Sequence, residues 1–298
     1  MSAAALPSFH ARPSRLMACA LGVVILALAG CASSRTQPIS LTLNRYYPGT
    51  GLRTVDVTVN GHAGPFILDT GAGATVLTPQ EIRYAGCKPF GKVTQFRAQG
   101  GRITSSRCGP VTLEIGAYRV DRDVQVLDLA SLLGKAPPVG GILGLASFQG
   151  QAVTLDLAHD RLIIETRRSL ARRIRGMRPV RIRITRDQAG AVVPFIEARA
   201  RTGTLWLEVD SGNAGPVFFA PHAEGQLGIE IPARGKRQLG IDVIGLGRVP
   251  VTAATRDLIF DGEVDPAFLR QMVLTLDLEH DRAWARLNGP GGNLYTPH

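Results

Sequence analysis

The stretch Thr154-Leu-Asp-Leu-Ala-His-Asp-Arg161 returns later in the chain as Thr275-Leu-Asp-Leu-Glu-His-Asp-Arg282, with a single exchange of Ala158 for Glu279. A match of that fidelity marks an internal duplication, and a duplication sets the organisation of the chain before any element is assigned. Upstream of the first copy lies Pro65-Phe-Ile-Leu-Asp69-Thr70-Gly71, and upstream of the second lies Leu205-Trp-Leu-Glu-Val-Asp210-Ser211-Gly212. Each half thus runs from an apolar stretch into an acid-hydroxyl-glycine triplet and ends in the repeated hairpin. The second half is about twenty residues shorter between triplet and hairpin, a difference that surface loops absorb. This places a first lobe at 40–165, an Arg-rich connection at 166–179, a second lobe at 180–289 and a flexible tail at 290–298.

Both lobes read as β-structure. Val55-Asp-Val-Thr-Val-Asn alternates with period two, Asn60-Gly61 is a hairpin turn, and Phe66-Ile-Leu returns as a buried strand. Lobe two repeats this from Val192 to Ala200, with a turn near Thr202-Gly203 and a strand from Leu205 to Val209. Helical signals are few; Thr78-Pro-Gln-Glu-Ile-Arg, with a cap-like Thr and a Pro at the first helical position, predicts one short helix.

The chemistry sits in the two triplets. A lone Asp-Thr-Gly is weak, since an Asx-turn after a strand uses the same residues. Here each follows an apolar strand and opens into small residues, Ala72-Gly73-Ala74 and Asn213-Ala214-Gly215. Duplicated half-sites predict a pseudo-twofold arrangement with one carboxylate, Asp69 or Asp210, from each lobe.

At these residues the chain resembles the retropepsin/pepsin group of aspartic peptidases, in the bacterial single-chain form with two retropepsin-sized lobes. Asp69-Thr70-Gly71-Ala72 is similar to that group's D-[ST]-G-[AS] loop, and Gly141-Ile-Leu-Gly144 to its later hydrophobic-hydrophobic-Gly strand beneath the loop. Phe96-Arg-Ala-Gln99-Gly100-Gly101-Arg-Ile sits where the group places its flap, and Val111-Thr-Leu-Glu-Ile-Gly116 where a following strand and turn belong. The resemblance implies an all-β, bilobal acid-protease fold of two pseudo-twofold-related β-barrel lobes with few short helices. It implies an aspartic endopeptidase in which Asp69 and Asp210 activate water without metal, cofactor or covalent intermediate. Thr70 and Ser211 would bond across the lobe interface. Gly71 and Gly212 would let backbone amides approach the carboxylates, Ala72 would support the same loop, and Gln99, Gly100 and Gly101 would cover a polypeptide substrate. Two lobes in one chain imply a monomer.

Lobe two departs from the pattern. Asn213 stands where the group has Ala or Ser, and Asp265 falls where lobe one has Gly144. A carboxylate there would meet a space suited to glycine, weakening the pair or moving its pH optimum. The alternative function is therefore a catalytically silent relative that binds peptide or scaffolds an envelope complex.

The other features bound the setting. At 298 residues and 45% hydrophobic the chain can bury two cores. Its net charge of +10 is scattered apart from the run between Arg167 and Arg178, and no nucleic-acid module accompanies it, so no nucleic-acid partner is expected. No H-E-x-x-H or C-x-x-C spacing appears, so no metal is expected, and His159 and His280 read as turn residues. Ser147 lacks the G-x-S-x-G elbow of a serine hydrolase, and Trp206 reads as packing.

Arg12 and Arg15 precede the apolar run Leu16 to Gly30, which has the flanks of a secretory signal over residues 1–30. Leu28-Ala-Gly-Cys31 resembles the bacterial lipobox, which implies lipid on Cys31, a tether over 31–39, and a periplasm-facing protein held on a membrane of the bacterial cell envelope. Cys19 leaves with the signal, so Cys87 and Cys108 remain in an oxidising compartment, as one disulfide or as two buried thiols.

Overall fold

The computed structural model describes residues 36–232 and 235–289. The signal at 1–30, Cys31, most of the tether and the tail at 290–298 lie outside the described residues. The alternating segment falls in the strand Arg53–Val59, where Val55, Val57 and Val59 are buried and Asp56 faces out. The chain turns at Asn60 and Gly61, with φ of 46° and 86°, and returns as His62–Leu68. Two successive left-handed residues give the turn the twist of its flanking strands, which favours Asn-Gly here.

In lobe one the barrel order is 53–59, 62–68, 141–143, 76–77, 118–126 and 102–115; the last strand pairs back to the first, Val59 opposite Leu113. In lobe two the order is 192–199, 204–209, 262–264, 217–219, 247–255 and 237–243, closed through Ala198 opposite Val243. The two lobes are therefore the same closed six-strand topology used twice. The length difference also has a location. Lobe one adds the strand Phe90–Phe96 and the short helix Ala130–Leu133, and lobe two has no counterpart of either among the described residues.

The repeated hairpins, expected to close each lobe, leave their barrels and join one shared sheet. Its order is 39–42, 161–164, 152–156, 272–277, 282–287 and 178–180. The two copies meet at the centre, with Thr154 directly opposite Thr275 and their hydroxyls hydrogen-bonded at 2.8 Å. Both threonines are fully buried. Strong similarity between the copies follows from this geometry: two strands that pair with each other across a local twofold face the same neighbours. The Arg-rich connection is structured too. Arg167–Arg173 is a helix capped reciprocally by Thr166 and Ser169, and Arg178–Val180 is an edge strand of the shared sheet. One continuous apolar core, including Phe66, Phe148, Phe219 and Phe268, runs through both lobes.

The helix expected at Thr78 begins later, as Ile82–Ala85, because Thr78 to Glu81 form a turn in which Thr78 Oγ1 accepts from the Glu81 amide. Immediately beyond it, Cys87 and Cys108 form a disulfide, with Cα atoms 5.8 Å apart. The bridge ties the end of this segment to the strand Arg102–Ile115 and encloses the strand Phe90–Phe96 between its ends. Closing a loop of this length removes about 3 kcal/mol of unfolded-state freedom. The double variant Cys87→Ala/Cys108→Ala is expected to lower the unfolding free energy by about that amount, read from urea midpoints. Equal midpoints for variant and wild type would show that the bridge contributes nothing.

Candidate active site

Asp69 follows the strand His62–Leu68, and its amide donates to Leu143 O at 3.1 Å, so the parallel strand Gly141–Leu143 carries the loop. Gly144 packs under the same loop: a Cβ there would lie 2.4 Å from Ala74 O. Asp210 follows Thr204–Val209, supported in the same way by Gly262–Val264. The two loops clasp each other as the resemblance implied. Thr70 Oγ1 donates to Val209 O, Ser211 Oγ donates to Leu68 O at 2.8 Å, and each hydroxyl accepts the other residue's amide at 3.0 Å. Thr70 and Ser211 are buried, so these four bonds lock the lobes together away from water.

The clasp sets the carboxylates face to face. A Cβ on Gly71 would lie 2.7 Å from Asp210 Cγ, and one on Gly212 would lie 2.4 Å from Asp69 Cγ. Each glycine is thus the floor on which the opposite carboxylate rests, and the two carboxyl groups hydrogen-bond each other.

The pair is asymmetric. Asp69 Oδ1 accepts from the amides of Gly71 (2.9 Å) and Ala72 (2.8 Å), whereas Asp210 Oδ1 accepts from Gly212 alone (2.6 Å). Asn213, the counterpart of Ala72, gives Asp210 no second amide, and its side chain closes its own turn: its Oδ1 accepts from Gly215 N and its Nδ2 donates to Pro216 O. Burial pushes both carboxyls above their ordinary value. For Asp69 the two amides and the bond from Asp210 oppose that rise. Asp210 is driven much higher, because burial is joined by repulsion from Asp69, Glu208 and Glu263. The extra amide on Asp69 and the added repulsion at Asp210 both favour the charge on Asp69 and the proton on Asp210, and the two carboxyls titrate as one pair.

Asp265 does occupy the place of Gly144, since Val209↔Val264 repeats Leu68↔Leu143. The expected clash does not arise. Its side chain caps the short helix Pro266–Leu269, with Oδ1 accepting from Phe268 N at 2.8 Å, so the carboxylate is satisfied in place.

A cleft of about 800 Å³ opens above the pair, lined from lobe one by Ala72, Val76 and Ile142 and from lobe two by Gly212, Phe260 and Glu263. The hairpin of strands 90–96 and 102–115 covers it. Gln99 lines the cleft, and Gly100 lies in the turn with φ of 75° that Arg97 closes through Gly100 N to Arg97 O and Arg97 N to Gly101 O, both 2.8 Å. The tip touches the opposite lobe, where Ile259 N donates to Ala98 O at 2.9 Å. This arrangement fits an extended chain lying between tip and floor. Its lobe-two contact at Ile259 had no sequence signal, because lobe one has no equivalent segment facing a tip.

Two further acids were not singled out from the sequence, Glu208 and Glu263. They are adjacent across the parallel strands 204–209 and 262–264, both buried, both on the cleft. Their counterparts in lobe one are Ile67 and Ile142, paired in the same register. Aligning the halves on their triplets exposes the exchange at once, since Phe66-Ile67-Leu68-Asp69 lies on Leu207-Glu208-Val209-Asp210. His159 and His280 sit in the hairpin turns, each against the Asp three residues earlier, away from this site. Trp206 also lies outside the cleft, with Arg183 stacked on its ring at 4.0 Å.

Residues 55–146 match the sequence model of the family described as Aspartyl protease. No curated protein sequence matches the chain. Among solved structures, conglutin gamma, a basic 7S globulin from lupine seeds, superposes with a TM-score of 0.55 at 9% identity, covering 85% of this chain and 95% of that one. The aspartic proteinase from Irpex lacteus superposes with a TM-score of 0.51 at 12% identity, covering 86% and 100%. A fold shared by a proteinase and a seed globulin does not decide activity; the site must. The first lobe thus carries the sequence signature of the aspartyl proteases, and the chain as a whole carries the bilobal pepsin-like fold.

Proposed function

We propose that the protein is an aspartic endopeptidase whose Asp69 and Asp210 act as one catalytic pair. The observation that carries this reading is the reciprocal packing of each carboxylate on the other loop's glycine, which forces two acids into hydrogen-bonding contact in a covered cleft. Such a contact has no structural use that a neutral pair would not serve better, since burying like charges is costly.

In this reading a peptide lies extended between the flap tip and the two loops. Asp69, ionised, takes a proton from a water as its oxygen attacks the scissile carbonyl carbon, while Asp210 gives its proton to the carbonyl oxygen. The resulting gem-diol collapses: Asp69 passes its proton to the amide nitrogen, the C–N bond breaks, and a diol hydroxyl returns its proton to Asp210. Both carboxyls end as they began, and no cofactor takes part. Supported by sequence alone, the same reading has Cys31 lipidated and the enzyme acting in the bacterial envelope as a monomer.

The test is digestion of an unfolded polypeptide between about pH 4 and 8, with new termini identified by mass spectrometry. Activity requires Asp69 ionised and Asp210 protonated. Because burial raises both, the rate is expected to rise with pH through a point above the ordinary 3.8 of an aspartate and to fall again only at a still higher pH. No cleavage at any pH, or a rate already maximal at pH 4, would count against the reading.

A further inference from the structure

Pseudo-symmetry would give the two sides of the scissile bond matching surroundings. In lobe one the residue two before Asp69 and its neighbour on the supporting strand are Ile67 and Ile142; in lobe two the same places hold Glu208 and Glu263. Neither glutamate is needed to build the catalytic pair, and both make it harder to ionise. Glu208 is 7% exposed and Glu263 4%, yet neither carboxylate has a hydrogen-bond partner among the described residues, although both line the cleft. Glu208 Oε1 lies beside the Gly71 floor, 3.1 Å from where a Cβ would stand, so it is aimed at the catalytic centre. Buried polar groups are almost always paired, and a carboxylate left open toward a ligand cleft points to a partner carried by the ligand.

The chain itself shows what kind of partner fits. The guanidinium of Arg256, a little over a third exposed, lies 3.6 Å from Glu263 Oε1 and stacks on the Phe218 ring at 3.5 Å. A cation thus already sits against Glu263 from the cleft side, held by an ion pair too long for a hydrogen bond, while Glu208 has none.

We propose that the lobe-two side of the cleft is a specificity pocket for a lysine or arginine side chain next to the scissile bond, selected by Glu208 and Glu263. The proposal rests on the peptidase reading and names its substrate class. The lobe-one side, where Val76 and Ile142 line the cleft, takes an apolar neighbour. Burial, with repulsion from Glu263 and Asp69, pushes the Glu208 carboxyl up to about 8, and a substrate ammonium or guanidinium supplies the partner it lacks and draws its proton off. Glu208, Glu263, Asp69 and Asp210 face one another here, with Arg256 the cation beside them, so the preference grows as pH rises and the carboxylates ionise.

The test uses peptides identical except at the two positions flanking the scissile bond, carrying lysine, norleucine or glutamate at each. Paired with them are uncleavable versions with a hydroxyethylene group in place of the scissile amide. Wild type is expected to favour lysine over norleucine at one flanking position by at least about tenfold in kcat/KM, and to bind the matching isostere more tightly by a similar factor. In Glu208→Gln/Glu263→Gln the ratio is expected to fall below about threefold, and in Glu208→Ile/Glu263→Ile, which copies lobe one, to reverse. Cleavage without lysine preference would overturn the pocket and leave the peptidase. Lysine-preferring binding of the isosteres with no cleavage of any peptide would leave the pocket and overturn the peptidase. Isosteres bound equally, or a preference that survives both double variants, would overturn the pocket whatever the activity.

Discussion

Asp69→Asn is expected to reduce kcat/KM for a good peptide substrate by at least about 10³-fold at every pH, and Asp210→Asn by a similar factor. The two variants fail for different reasons. Without Asp69 the site loses the base, the carboxylate that two loop amides keep ionised. Without Asp210 it loses the acid, whose proton is held by burial and by repulsion from Asp69, Glu208 and Glu263. An amide fits either space, so the folds are expected to survive. Stability is in fact expected to move the other way. A carboxyl whose folded pKa is raised binds more protons folded than unfolded, so its contribution is lost as pH rises from the unfolded value of 3.8 toward the folded one. At pH 7 the wild type carries that loss and Asp210→Asn does not, so the variant is expected to melt at a higher temperature there, with the gap closing toward pH 4. Loss of activity together with a lower melting temperature would instead indicate a damaged fold, and undiminished activity would remove the residue from the mechanism.

The architecture was legible because the strongest sequence signal and the strongest structural constraint coincide. Thr154 to Arg161 and Thr275 to Arg282 are alike because they pair with each other, and from that match the two triplets, the two barrels and the clasp of Thr70 with Ser211 could be laid out. What stayed hidden depends on distance relations that a linear reading does not carry. The hairpins belong to a shared sheet rather than to their own lobes, which follows only once two strands 121 residues apart are seen to touch. Asp265 looked like an obstacle under the loop because glycine is required at its counterpart, but the carboxylate found a helix N-terminus to cap. Glu208 and Glu263 were missed because, in a strand read alone, a glutamate between apolar neighbours looks like an outward-facing position of an alternating pattern. In the barrel that position points into the cleft, and the apolar Ile67 and Ile142 of lobe one were the clue.

Gly212→Ala separates the geometry of the pair from its charge, and the expected loss is about 100-fold or more in kcat with both aspartates intact. Gly212 has no positive φ to make alanine unwelcome, so the backbone tolerates the change. The obstacle is contact: the new Cβ would stand 2.4 Å from both Cγ and Oδ2 of Asp69. That neighbour is not the loose end of a long side chain. It is a short carboxylate fixed by the Gly71 and Ala72 amides and by its partner, so either those bonds or the bond to Asp210 must lengthen. A pair pushed apart shares its proton less well, and its two titrations draw together, so the pH profile is expected to narrow as the maximum falls. The control is Gly64→Ala, on the strand leading to Asp69, where a Cβ would meet nothing within 4 Å and activity is expected to be unchanged. Were Gly212→Ala to work as well as Gly64→Ala, the carboxylates could not be bearing on each other's glycines during turnover, and the close contact that motivates the catalytic reading would have to be given up.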